Sequence, residues 1–248
     1  MNQNQQRALV TGAASGIGAA LAGLMARRGI HVLMADKNPN VNEVATRLPN
    51  AVGYVVDLGR EAEVLKLSEF AKGEFGGCDI LVNNAGIAPK KDGRGYTIPE
   101  TDTALWNHVM AVNLTAPFVL CRELAPSMQK NKWGRIVNVA SRAGRTRIPG
   151  VAAFYSASKA GLIGFTRQLA GEYVADGITA NTVAPGPVQT SLALQSSDAT
   201  KKKLLETVPI GRHASAEEIA TVIDFLCTPE ASYVTGACVD VNGGGFMA

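Results

Sequence analysis

The chain predicts an α/β fold: a single-domain, doubly wound parallel β-sheet of about seven strands, flanked by helices on both faces. Short apolar runs of strand length alternate with longer helix-like runs, a glycine-rich turn joins the first strand to the first helix, and no repeat or low-complexity linker interrupts the alternation. Parallel strands need long crossovers, usually helical, and bury both faces, which is why they read as continuous apolar runs. A length of 248 residues suits one such domain, 1–248, with a core that needs no second one.

The first strand, near 7–11, runs into Thr11-Gly12-Ala13-Ala14-Ser15-Gly16-Ile17-Gly18, and a helix follows to Arg28. The glycines do not match G-x-G-x-x-G, yet they meet the same demands. Gly12 permits the tight turn, Gly16 lets backbone approach a phosphate, and Gly18 lets helix pack on strand. With Ser15 and Ile17 they form a Rossmann-type loop that aims a helix N-terminus at a pyrophosphate. A plain glycine-rich turn is the alternative; a second strand, 31–35, ending at an acid argues against it. That acid, Asp36, stands twenty residues beyond Gly16. It would accept hydrogen bonds from ribose hydroxyls and repel a 2′-phosphate, favouring NAD over NADP. Lys37 is the complication, since its side chain can swing toward a phosphate, and a solvated acid opening the turn at Asn38-Pro39 reads the same way. Further strands are expected near 52–56, 79–82, 134–139, 178–183 and 237–241, and the two longest helices at 103–129 and 153–175.

Chemistry concentrates in Tyr155, Lys159 and Ser141. A spacing of four on a helix puts phenol and ammonium on one face, where a cation within ~4–6 Å lowers the phenol pKa. Tyr155 would then exchange a proton with a carbinol or carbonyl while the Ser141 hydroxyl positions the substrate oxygen. Asn113 interrupts an apolar helical run, where an amide is disfavoured unless partnered; a satisfied buried amide is one reading. Pro185-Gly186-Pro187-Val188 can be neither helix nor central strand and reads as a rigid loop.

These motifs, in this order, resemble the short-chain dehydrogenase/reductase family across essentially the whole chain. The resemblance implies an NAD-dependent oxidoreductase acting reversibly on a secondary alcohol or ketone. Tyr155 is then the acid/base, Ser141 orients the oxygen, Lys159 lowers the phenol pKa and holds the nicotinamide ribose, and Asn113 orders a water relay. The cofactor residues it implies are Gly12, Ser15, Gly16, Ile17, Gly18, Asp36, Asp57 and Leu58 at the adenine, Asn83, Ala85 and Gly86 from Asn83-Asn84-Ala85-Gly86, Tyr155, Lys159, and Pro185, Gly186, Val188 and Thr190 beneath the nicotinamide. An ordinary asparagine turn is the alternative for Asn83. A homotetramer with dihedral symmetry is implied, although the small residues on the second long helix (Ser156, Ala157, Ala160, Gly161, Gly164) also suit plain core packing. Pro209-Ile210-Gly211-Arg212 and Tyr233-Val234-Thr235-Gly236 are similar to 3-oxoacyl-[acyl-carrier-protein] reductases. The runner-up is therefore a 3-oxoacyl-thioester reductase using NADPH, against which Asp36 argues. A non-catalytic dinucleotide sensor is the distant alternative.

A net charge of +3 with scattered basic residues implies neither nucleic acid nor membrane as partner. No signal or membrane-spanning stretch is expected, which gives a cytoplasmic protein. Four separated cysteines suit reduced packing thiols, and three histidines suggest no metal site. Three basic segments stand where substrate loops are expected: Lys90, Lys91 and Arg94; Arg142, Arg145 and Arg147; and Lys201 to Lys203 in a lid spanning 190–208. They would read a carboxylate or phosphopantetheine group, or form only a solvated rim. Phe154, with Leu192 or Leu194, would wall the carbinol carbon.

Overall fold

The computed structural model describes residues 6–189 and 197–247. Seven strands form one sheet in the order β3-β2-β1-β4-β5-β6-β7, every pairing parallel. They are β1 Arg7–Thr11, β2 His31–Asp36, β3 Ala51–Val55, β4 Ile80–Asn83, β5 Gly134–Val139, β6 Ile178–Pro185 and β7 Cys238–Val241. The strand order reverses between β1 and β4, so a crevice opens at their carboxyl ends, where α/β sheets bind ligands. Consecutive strand residues face opposite ways. Val10, Met34 and Val82 pack with Leu21, Met25, Ile219 and Ile223 of α1 (Gly16–Arg27) and α8 (Ala216–Leu226). Leu9, Leu33 and Leu81 pack with Leu67, Leu120, Leu124 and Met128 of α3 (Glu61–Lys72) and α5 (Ala116–Asn131). The remaining helices are α2 Val41–Thr46, α4 Thr103–Met110, α6 Ala153–Tyr173 and α7 Asp198–Leu205.

Two expectations about local structure need correction. Pro185 is not excluded from the sheet: it ends β6 opposite Val241, and Gly186 donates its N–H to the Val241 carbonyl at 3.0 Å. A proline at the last position deprives the ladder of a single donor, and the next residue restores the contact. The helix expected at 103–129 is α4 and α5 joined through a π-helical turn, Ala111–Thr115. By length and mean hydropathy this run, Thr103–Asn131, could cross a bilayer, contrary to the expectation that no segment would; its apolar stripe is instead buried against the sheet. Thr190, Leu192 and Leu194 lie outside the described residues, as does the 190–196 part of the expected lid. The rest of that segment contains α7, capped by Ser197, whose hydroxyl accepts the Thr200 N–H.

Candidate active site

The glycine loop takes its shape from two contacts. Gly12 has φ +67°, and a Cβ there would lie 2.8 Å from Ala85 Cα; at Gly18 it would lie 2.3 Å from the Gly12 carbonyl oxygen. Only glycine fits both. Asn84 seals the arrangement, its Nδ2 donating to the carbonyls of Thr11 (2.9 Å) and Gly12 (3.1 Å), while Thr11 Oγ1 accepts the N–H groups of Asn84 and Ala85 at 3.1 Å each. Asn84, and not the expected Asn83, is therefore the asparagine that holds the loop. The Asn83 side chain is buried on the other side, donating to Asn138 Oδ1 at 2.8 Å, and does not line the crevice. The strand's two-residue period decides the matter: Asn83 lies opposite Asn138 in the β4–β5 register, and its successor reaches the loop.

The crevice over this loop is lined by Gly12, Ser15, Gly16, Ile17, Asp36, Asp57, Leu58, Ala85 and Gly86, as expected, together with His108 from α4, which no sequence motif singles out. Asp36 Oδ2 accepts the Ala14 N–H at 3.0 Å and its Oδ1 the Asn38 N–H at 2.9 Å, so its charge is fixed at the end of β2. Lys37 pairs with Asp57 at 2.8 Å, and this hydrogen bond is the main reason the Asp57 carboxyl sits below its ordinary pKa. A loop that only glycine can form, the N-terminus of α1 and a fixed carboxylate where ribose hydroxyls would lie together fit a nicotinamide dinucleotide.

At the nicotinamide end, β5 delivers Ser141 and α6 delivers Tyr155 and Lys159. Ser141 caps a short turn by accepting the Ala143 N–H at 3.1 Å, and it lines the same cavity as Tyr155. The expected lowering of the phenol pKa by Lys159 is corrected. Burial raises Tyr155, and the neighbouring Ser141 hydroxyl offsets this only in part. Lys159 Nζ is 5.9 Å from the centre of the Tyr155 ring and donates to the Val139 carbonyl at 2.8 Å. Burial pulls the lysine itself down to about 8. Ile17, Pro185, Gly186 and Val188 line the same cavity, and Val188 is held by a bridge to Ala214.

Asn113, in the π-helical turn, is fully buried. Its Oδ1 accepts the Ile87 N–H at 2.8 Å, and its Nδ2 donates to the Ile87 carbonyl (3.0 Å) and to Ser158 Oγ (3.1 Å). These partners make it a clamp between the loop after β4 and α6, next to Gly86 and Lys159. Single π turns recur at functional sites because they shift one residue out of helical register.

The first two basic segments differ from one another. Glu100 pairs with Lys91 (3.0 Å) and receives a two-pronged bond from Arg94 (2.8 Å each), leaving Lys90 facing the cavity. Arg142 is buried, with Nη1 donating to the Thr207 and Gly245 carbonyls at 2.9 and 3.2 Å; Arg145 pairs with Asp240 at 3.1 Å and stacks on Phe246. Neither forms a solvated rim. Phe154 is fully buried beside Val109 and Ala152, away from the carbinol position assigned to it. Among the described residues no cluster could hold a metal ion, and the cysteines are unpaired.

A family model described as enoyl-(acyl carrier protein) reductase matches residues 12–245. The chain is 39% identical to a 3-oxoacyl-[acyl-carrier-protein] reductase of Vibrio cholerae over 249 residues, covering 100% of both. A crystal structure of a 3-oxoacyl-[acyl-carrier protein] reductase from Brucella melitensis superposes with a TM-score of 0.91 at 35% identity, covering 98% of this chain and 92% of that one. Another from the same organism, with NAD bound, gives 0.88 at 35% identity, covering 99% and 93%. The fold, the crevice and these matches define a dinucleotide-binding oxidoreductase. The chain belongs to the short-chain dehydrogenase/reductase family.

Proposed function

We propose that this protein reduces the 3-keto group of a 3-oxoacyl thioester, reversibly, with a nicotinamide dinucleotide. The reading narrows the secondary alcohol or ketone expected from the sequence, and the full-length likeness to 3-oxoacyl-[acyl-carrier-protein] reductases supports it. The observation that carries the reaction class is the convergence of Ser141, Tyr155 and buried Lys159 on one cavity, whose lining shares Ile17, Asn84 and Gly86 with the crevice. When bound, the nicotinamide supplies or accepts the hydride, and its cationic form favours the phenolate. Ser141 holds the ketone oxygen, and Tyr155, kept protonated by burial, donates the proton from its hydroxyl as the oxygen gains charge. Lys159 holds the ribose side, and Asn113 keeps the loop and α6 in register.

Asp36 supports NAD(H) as the preferred nucleotide, because its carboxylate would oppose a 2′-phosphate. NADP(H) is the competing reading, carried by Lys37, which would have to leave Asp57. The test is nicotinamide absorbance with NADH and NADPH against 3-oxoacyl thioesters, simple ketones and sugars. Thioester reduction supports the proposal; turnover of simple ketones or sugars alone overturns it in favour of a general alcohol dehydrogenase.

A cytoplasmic homotetramer belongs to the same proposal. Trp106 and Phe118 are partly exposed on α4 and α5, and Phe118 meets Phe165 of α6 edge-on at 6.1 Å, an apolar face suited to a second copy. Sedimentation at micromolar concentration reads the assembly directly.

A further inference from the structure

The cavity holding Ser141 and Tyr155 is also lined by Lys90, Arg142 and Lys159, and by no aspartate or glutamate among the described residues. Its other walls include Ala88, Ile148 and Leu204, which keep the local dielectric low and uncompensated charge expensive.

Lys159 has a place in the proposed reaction, but Lys90 and Arg142 do not. Arg142 is 2% exposed, and among the described residues its two terminal nitrogens bond only neutral oxygens: the Thr207 carbonyl (2.9 Å) and hydroxyl (2.7 Å) and the Gly245 carbonyl (3.2 Å). Its Nε is buried without a partner. Lys90 is partly buried and has no ion pair among the described residues, although Lys91 and Arg94 on the same loop both pair with Glu100. Buried cations are ordinarily matched by an acid. Two unmatched cations on the walls of the reaction chamber leave the matching charge to the ligand.

We propose that the substrate carries its own carboxylate, on the carbon skeleton that bears the ketone, and that Lys90 and Arg142 select for it. The inference rests on the proposed reaction for the cavity that the ketone enters, and it narrows the substrate to 3-oxoacyl compounds with a free acid group. A pantetheine phosphate is another source of negative charge. It lies at the far end of a long arm, whereas Lys90 and Arg142 share walls with Ser141 and Tyr155.

Calorimetric titration of 3-methylbutanoate and of 3-methylbutanamide, neither of which has a ketone to reduce, tests this with and without NAD⁺. The acid is expected to bind the wild type at least ~10-fold more tightly than the amide, as charge-assisted hydrogen bonds require. Lys90→Met should cut that ratio to about threefold or less, and Arg142→Lys, which keeps the charge but loses the planar fork, should lower it in part. Equal binding of acid and amide to the wild type, including no binding of either, overturns the proposal. So does a ratio that survives Lys90→Met, or charge preference seen only with coenzyme A thioesters. Because the titration needs no turnover, a silent activity assay counts against the reaction alone, and activity without acid preference counts against this inference alone.

Discussion

Lys159→Met should make the protein more stable while disabling it. Lys159 is 2% exposed, and burial lowers the pKa of its ammonium from 10.5 to about 8. At 1.36 kcal/mol per pKa unit, burying that charge costs about 3 kcal/mol at pH 7. The hydrogen bond from Nζ to the Val139 carbonyl returns about 1–2 kcal/mol, and methionine fills a similar volume without charge. The net gain expected of the variant is about 1–2 kcal/mol at pH 7. The sign follows from linkage: above pH 10.5 the lysine is neutral in both folded and unfolded chains and carries no penalty. As pH falls from 10.5 to about 8 the unfolded chain binds a proton that the folded one resists, and below about 8 the penalty is complete. Urea denaturation of both proteins without nucleotide should therefore show the variant's advantage at pH 7, shrinking as pH rises toward 10. A variant less stable than wild type at pH 7, or a difference that ignores pH, would refute the reasoning.

Asp36→Ala removes a carboxylate that would stand ~5 Å from a 2′-phosphate, an interaction of about 1–3 kcal/mol per unit charge at an effective dielectric between 20 and 80. The ratio of kcat/KM with NADH to that with NADPH should fall by about 30-fold, as steady-state kinetics with each nucleotide will read. Asn113→Ala strands the Ile87 amide and carbonyl, while Ser158 keeps its bond to the Tyr155 carbonyl, so urea denaturation should show a loss of about 2–4 kcal/mol. Glu100→Gln removes the carboxylate that gathers Arg94, Lys91 and Thr97, whose hydrogen bonds hold its pKa well below the carboxylate range. Amide hydrogen exchange should quicken across residues 91–97 and stay unchanged in β4 and α5.

The sheet was legible because parallel strands are buried on both faces and write themselves as apolar runs; the expected strand at 134–139 is β5 Gly134–Val139. The glycine loop was legible for the same local reason, since Gly12 and Gly18 answer to backbone geometry within one turn. What was hidden depended on partners distant in sequence. Asn83 and Asn84 read alike until the register with β5 turned the first toward Asn138 and left the second beside Thr11 and Gly12. Lys91 and Arg94 looked like substrate contacts until Glu100 folded back onto them. The π-helical turn at Asn113 had no signature in a run that is apolar at helical spacing. The Tyr155–Lys159 spacing correctly predicted proximity, but burial, which sequence does not report, sets the direction in which both groups shift.

The central claim is that Tyr155 moves the proton in a nicotinamide-linked reduction. Turnover of a 3-oxoacyl thioester by Tyr155→Phe, measured beside its affinity for NADH, tests that claim most directly. The account predicts nucleotide binding close to that of the wild type and a kcat lowered by roughly 10²–10⁴-fold; a kcat within about tenfold of wild type would contradict it.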